Sequence, residues 1–135
     1  MSISPRSTPV KTQKPTAKRA PPKVAAAKMA ATLAAQPRAE PSGTVRVLAG
    51  DFNATLDHAP MRRLLSSGYR DAAATVGVGL VGTWGPYDGD LIPPVTIDHV
   101  LVDRRVAVAA VSVHPLPGGD HRAVLAELVF RTSHP

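Results

Sequence analysis

Residues 95–102 read VTIDHVLV, and upstream residues 44–49 read TVRVLA. Both runs are dominated by β-branched and aliphatic residues and are bounded by glycine, proline or charge, the pattern of strands in a sheet. In VTIDHVLV the alternation sends Asp98 with Val100 and Val102 to one face, and Ile97, His99 and Leu101 to the other. A carboxylate inside such a run is expensive to bury alone. Asp98 therefore needs a cation or an imidazole nearby.

Working outward, Val106–His114 is a second β-rich run, and Asp103, Arg104 and Arg105 join it to the first, which predicts a hairpin. After a turn over Pro115–Gly119, Ala123–Phe130 reads as a closing strand. Upstream, TVRVLA ends at Gly50. His58–Ser66 puts Met61, Leu64 and Leu65 at helical spacing with Gly68 beyond, which predicts a short helix. Tyr69–Ala74 reads as a further helical turn. Residues 75–94 hold five Gly, three Pro, Trp84 and Tyr87, and so read as a long loop of the kind that is functional or disordered. Four strands and one or two helices predict an α+β unit with a largely antiparallel sheet.

The 135 residues suffice for one domain, and their charge is unevenly spread. Residues 1–43 carry eight Lys/Arg against Glu40 alone, whereas residues 44–135 carry eight Arg against nine acids. The formal charge of +6 thus describes a basic tail joined to a nearly neutral domain, and the domain itself carries no nucleic-acid signal. The first 43 residues also hold seven of the fourteen prolines, so they read as a disordered Pro/Ala/Lys-rich tail with a short helix over Val24–Ala35. Lys11, Lys14, Lys18, Arg19, Lys23 and Lys28 suit contact with phosphate backbones or anionic lipid. A solvated linker has the same composition.

With no Cys, disulfides, thiolate nucleophiles and Cys-type zinc sites are excluded. No apolar run reaches the roughly 20 residues of a bilayer span. The Ala-rich stretch after the basic start is broken by Lys28, which argues against a secretory signal and favours the cytoplasm.

Three polar strings stand beside the strand-like runs: Gly50-Asp51-Phe52-Asn53, Asp98 within IDHVL, and Gly119-Asp120-His121-Arg122. Asp51 and Asn53, two residues apart, point to one side in extended backbone. The carboxylate suits a hard cation such as Mg²⁺ or Mn²⁺, or the activation of a water, and the amide can donate to a phosphate oxygen. An Asx-turn that satisfies loop backbone is the alternative. Asp98 and His121 make a pair in which the acid fixes the imidazole tautomer and supports its charged form. Asp120 is free for metal or water beside the flexible Gly118-Gly119 turn. Trp84 suits stacking on a base or sugar as well as anchoring of its loop. His58 reads as a helix-start residue and His99 as packing on the sheet face opposite Asp98. No HExxH-like spacing supports zinc.

Taken together, VLAGDFNAT, GTWGP, TIDHVLVD and GGDHRAVLAEL resemble the C-terminal half of the endonuclease/exonuclease/phosphatase superfamily, which includes pancreatic deoxyribonuclease and exonuclease-III-like repair nucleases. The resemblance runs from about Thr44 to Phe130. It implies part of a four-layer α/β/β/α sandwich and Mg²⁺- or Mn²⁺-dependent hydrolysis of phosphate esters by an activated water. Carried over by motif, Asp51 positions or deprotonates the water, Asn53 binds the scissile phosphate, and Asp98 orients His121. His121 contacts the phosphate in the transition state, and Asp120 with Asp51 ligates the metal. The family's upstream half brings a metal-binding Glu, an Asn and a second His, whereas Glu40 is the sole acid before Asp51 here.

The expectation is therefore a truncated phosphoesterase that is inactive alone, or one rebuilt by self-association or by a separate upstream-half partner. A non-catalytic nucleic-acid- or anion-binding module using the tail is the alternative. DNA, RNA, a phosphoinositide, a sphingolipid and a nucleotide all stay open as substrates.

Overall fold

The structure is a computed structural model that describes residues 22–39, 43–85 and 93–131. Its elements in chain order are α1 (Pro22–Ala34), β1 (Val47–Asp51), α2 (Ala59–Ser66), β2 (Tyr69–Asp71), α3 (Ala72–Thr75), β3 (Asp98–Asp103), β4 (Ala107–Pro115) and β5 (Arg122–Val129). The architecture is α+β, and every named strand pairing is antiparallel.

β3 lies at the centre of a three-stranded sheet of order β1-β3-β2. Its register sets Asp98 opposite Asp51, His99 opposite Gly50, and Asp103 opposite Tyr69. The faces of β3 separate as the alternation requires. Leu101 is fully buried in a cluster with Leu33, Ala39, Ala54, Met61, Leu64 and Tyr69, on the side of α1 and α2. Val102 joins Ala72 and Val106, against which Val108, Val111, Ala126 and Leu128 of the β4–β5 ribbon pack. Each such aliphatic side chain removed from water stabilises the fold by about 1.5–3 kcal/mol.

The β-rich runs flanking residues 103–105 do not form the hairpin their spacing predicts. Both edges of β3 are occupied, by β1 and β2, so β4 pairs with β5 in a separate two-stranded sheet. The linking turn is held by Asp103, which is fully buried. Its carboxylate accepts from the Arg105 backbone N–H at 3.0 Å, from Nε at 2.9 Å and from Nη2 at 2.5 Å. The Arg105 guanidinium holds the Asp103 carboxyl below its ordinary value of 3.8, against the opposing effect of burial.

One further expectation is corrected. Tyr69–Ala74 is not one helical turn: Tyr69–Asp71 pairs with β3 as a strand, and Asp71 then caps α3 by accepting the Ala74 N–H at 2.7 Å. The helix expected over Val24–Ala35 is present as α1 over Pro22–Ala34, and it is docked. Alanine-rich sequence forms helix readily, Pro22 suits its first turn, and Pro37 prevents its continuation. Leu33 and Ala39 are buried, the Tyr69 hydroxyl donates to the Pro37 carbonyl at 2.8 Å, and the Ala39 N–H donates to the Ser67 carbonyl at 3.1 Å. Residues 1–21, with Lys11, Lys14, Lys18 and Arg19, lie outside the described residues, as do Glu40, Tyr87 and His134. No helix among the described residues is long and apolar enough to cross a membrane.

If α1 is part of the core, Leu33→Ala will lower stability by about 2–5 kcal/mol. Val24→Ala, at a site 57% exposed, will stay within about 0.5 kcal/mol. Urea midpoints of the two variants measure this, and equal midpoints would place α1 outside the cooperative unit. Because Asp103 titrates lower when folded, its stabilisation is complete above 3.8 and is lost as pH falls through the folded value. Asp103→Asn will accordingly flatten the acid limb of the stability–pH profile.

Candidate active site

The Gly50-Asp51-Phe52-Asn53 turn begins where β1 ends. Asn53 adopts φ 50°, a left-handed conformation that asparagine tolerates better than most residues. Asp51 Oδ1 accepts the Asn53 backbone N–H at 2.8 Å, and Oδ2 accepts Asn53 Nδ2–H at 3.0 Å. This is the Asx-turn that the sequence left as an alternative, and it aims both exposed side chains to the same side of the sheet rim. Antiparallel pairing of β1 with β3 then sets Asp98 directly opposite Asp51.

Asp98 meets His121 at the start of β5: His121 Nδ1 lies 2.9 Å from Asp98 Oδ2 and 3.2 Å from Oδ1. Donation from Nδ1 leaves Nε2 with no hydrogen-bond partner among the described residues. The bond to Asp98 raises the His121 pKa above 6.5. Partial burial opposes the rise, and the charges of Asp98, Asp51 and Asp120 add to it. Three carboxylates from three distant segments thus act on one imidazole. A phosphate approaching this corner would be repelled unless a cation intervenes.

The segment 82–85 holds this corner together. Thr83 is buried, and its Oγ1 accepts the Ile97 and Asp98 N–H groups at 3.1 and 3.0 Å. Its carbonyl accepts the Arg122 N–H at 2.7 Å, so one residue clamps the strand that carries Asp98 to the segment that carries His121. Trp84 exchanges backbone bonds with Val95, donates Nε1–H to Asp120 Oδ2 at 3.2 Å, and lies 6.4 Å from the His121 ring centroid. The loop-anchoring reading of Trp84 is therefore the one its contacts describe. The close approach needs glycine: a Cβ on Gly82 would stand 2.4 Å from Pro94 Cβ.

Asp51, Asn53, Asp98, Asp120 and His121 are accordingly brought to one rim. His58 lines the groove beside the turn rather than the rim: its Nδ1 accepts the Thr55 N–H at 3.0 Å and its side chain caps no helix N–H. His114 belongs to exposed β4 sequence and bonds Ser112 Oγ. Thr83 was not singled out in sequence, because a threonine between Gly82 and Trp84 in a glycine-rich stretch has no periodicity that reveals its role. Beside the Asx-turn opens a groove of about 900 Å³, lined by Met29, Leu33, Leu48, Asp51, Asn53 and His58, so α1 forms one wall.

The exposed carboxylate oxygens of Asp51 and Asp120 are donors of the kind a hard cation takes, and no thiolate competes. Among the described residues no three His, Cys, Asp or Glu side chains are grouped to hold a metal ion. An ion bound through one or two carboxylates, water and substrate phosphate is the arrangement typical of Mg²⁺.

Residues 8–121 match the Endonuclease/Exonuclease/phosphatase family. The chain belongs to that family. No curated protein matches it. Among solved structures it is similar to a mannosyl-6-phosphatase of Bacteroides thetaiotaomicron VPI-5482, with 21% identity and a TM-score of 0.49. The likeness covers 80% of this chain and 44% of that one, so the chain spans less than half of that protein's length. Members of the family generally use divalent metals.

In an NMR titration His121 will show a midpoint above 6.5, and Asp98→Asn will move it down, because Asp98 is the first cause of the rise. An unchanged midpoint in the variant would mean that the pair does not form in solution.

Proposed function

We propose that the chain carries phosphate-ester hydrolase chemistry at the rim formed by Asp51, Asn53, Asp98, Asp120 and His121. The observation that carries the reading is the Asp98–His121 hydrogen bond of 2.9 Å, within the field of Asp51 and Asp120. It is supported by membership of a family whose name joins nucleases and phosphatases.

In this reading Asp51 accepts a proton from the attacking water, or orients it. Asn53 uses one Nδ2–H to hold Asp51 and keeps the other for a phosphate oxygen. Asp98 holds the His121 ring by Nδ1, so that Nε2–H faces the phosphate, and the positive ring stabilises charge as it builds in the pentacovalent transition state. Asp51 and Asp120 would hold Mg²⁺ or Mn²⁺, which when bound neutralises the corner and polarises the phosphoryl group. With so few protein ligands the cation is expected to bind weakly before substrate arrives. Nuclease or phosphodiesterase action on nucleic acid and monoesterase action on a small phosphate are two forms of this chemistry.

The purified chain, alone or self-associated, should hydrolyse a nitrophenyl phosphomonoester or bis(nitrophenyl) phosphodiester only with added Mg²⁺ or Mn²⁺. Robust turnover by the monomer would refute the expectation that it is inactive alone. The ester that is turned over identifies the form. His121→Ala and Asp51→Asn should each lower kcat by about 10²–10⁴-fold, the range of a positioned acid–base group. Turnover that persists in chelator, or that matches wild type in both variants, would refute the proposal.

A further inference from the structure

Behind the rim, on the opposite face of β3, His99 makes two polar contacts that the chemistry above does not use. Its Nδ1 lies 2.9 Å from Asp71 Oδ2, and its Nε2 lies 2.9 Å from the Ala54 carbonyl oxygen. The two side chains are 0% and 2% exposed. A carbonyl only accepts, so Nε2 must carry a proton. At Nδ1 two bare lone pairs would face one another, so a proton also occupies that contact, on the ring or on the acid. Asp71 is itself immobilised, because Oδ1 accepts the Ala74 N–H at 2.7 Å as the cap of α3. The Phe52 ring meets the imidazole edge-on, with centroids 5.9 Å apart.

The carbonyl that His99 holds belongs to the residue after Asn53. Asn53 is the one non-glycine residue with positive φ among those described. Backbone in that region persists where its surroundings hold it in place. Ala54 is fully buried, so without the imidazole its carbonyl would have no water to turn to.

Resting on the phosphohydrolase reading, we propose that His99 is a positioning residue: it ties the carbonyl behind Asn53 to the Asp71 cap of α3 and so fixes the turn that presents Asp51 and Asn53. His99 touches no reacting atom. It acts through the peptide that follows Asn53.

Two shortened amides separate the contacts. In His99→Gln the amide nitrogen takes the place of Nε2 and keeps the donor to Ala54. In His99→Asn it takes the place of Nδ1 and keeps only the donor to Asp71. The full chain is examined by backbone hydrogen exchange at Asn53, whose N–H is bonded to Asp51 Oδ1. Exchange should quicken roughly tenfold or more in His99→Asn and stay near wild type in His99→Gln. Per folded molecule, kcat should fall about 100-fold in His99→Asn with KM little changed, and be largely kept in His99→Gln. Equal exchange in the two variants would overturn the proposal, whatever the turnover. A split in exchange with no turnover in wild type would instead overturn the phosphohydrolase reading and leave the role of His99 in the turn standing. Should neither variant fold, nitrogen-15 spectra of the wild-type ring decide: a protected proton on Nε2 supports the tie, and its absence overturns it.

Discussion

β3 has a hydrogen-bonding strand on each edge and a packed layer on each face, and the site is a consequence of that confinement. Alternation then forces adjacent polar residues apart. Asp98 goes to the ribbon side and meets His121, whereas His99 goes to the helix side and meets Asp71. Farther along, Leu101 and Val102 divide the two cores in the same way. A slip of one residue in register would exchange every one of these partners, so the hydrophobic packing of residues 101 and 102 fixes the chemistry three residues away.

Electrostatics give the rim its character. One imidazole bonds Asp98 and lies in the field of Asp51 and Asp120, and each raises its affinity for a proton. Such a concentration of like charge is not needed to stabilise a small sheet, since the cores supply that. It suits the proposed chemistry, in which a cation and an anionic ester would be held together. The cost of gathering the acids is spread over the scaffold: Asn53 binds both Asp51 oxygens, Trp84 donates to Asp120, and Thr83 receives the N–H of Asp98.

The acids, amide and imidazole of the rim were legible in sequence because each stands beside a strand-like run, and strand ends gather at sheet rims. The separation of Asp98 from His99 followed from period-2 alternation alone. Strand partnership did not follow. Two β-rich runs joined by a short polar link look like a hairpin whether or not other strands claim the first of them, and here β1 and β2 do. The docking of α1 was also hidden, because its inward face consists of little more than Met29 and Leu33 in a background of alanine. Composition weighed the lysines and prolines around it more heavily than two apolar contacts. Thr83 and the partners of His99 escaped for a related reason: Thr83 binds backbone N–H groups, and His99 binds a backbone carbonyl and an Asp71 far off in sequence, so residue identity nearby bears no mark of either.

The paired backbone bonds between Trp84 and Val95 have a consequence for which substitutions this corner can accept. They close a ring whose base is sealed by Gly82 and Gly85 lying against Pro94. A side chain at either glycine would press on Pro94 and strain the Val95 bonds beside it. The corner that carries Asp98 and His121 therefore tolerates no bulk at those two positions, and crowding there would be felt at the rim through Thr83.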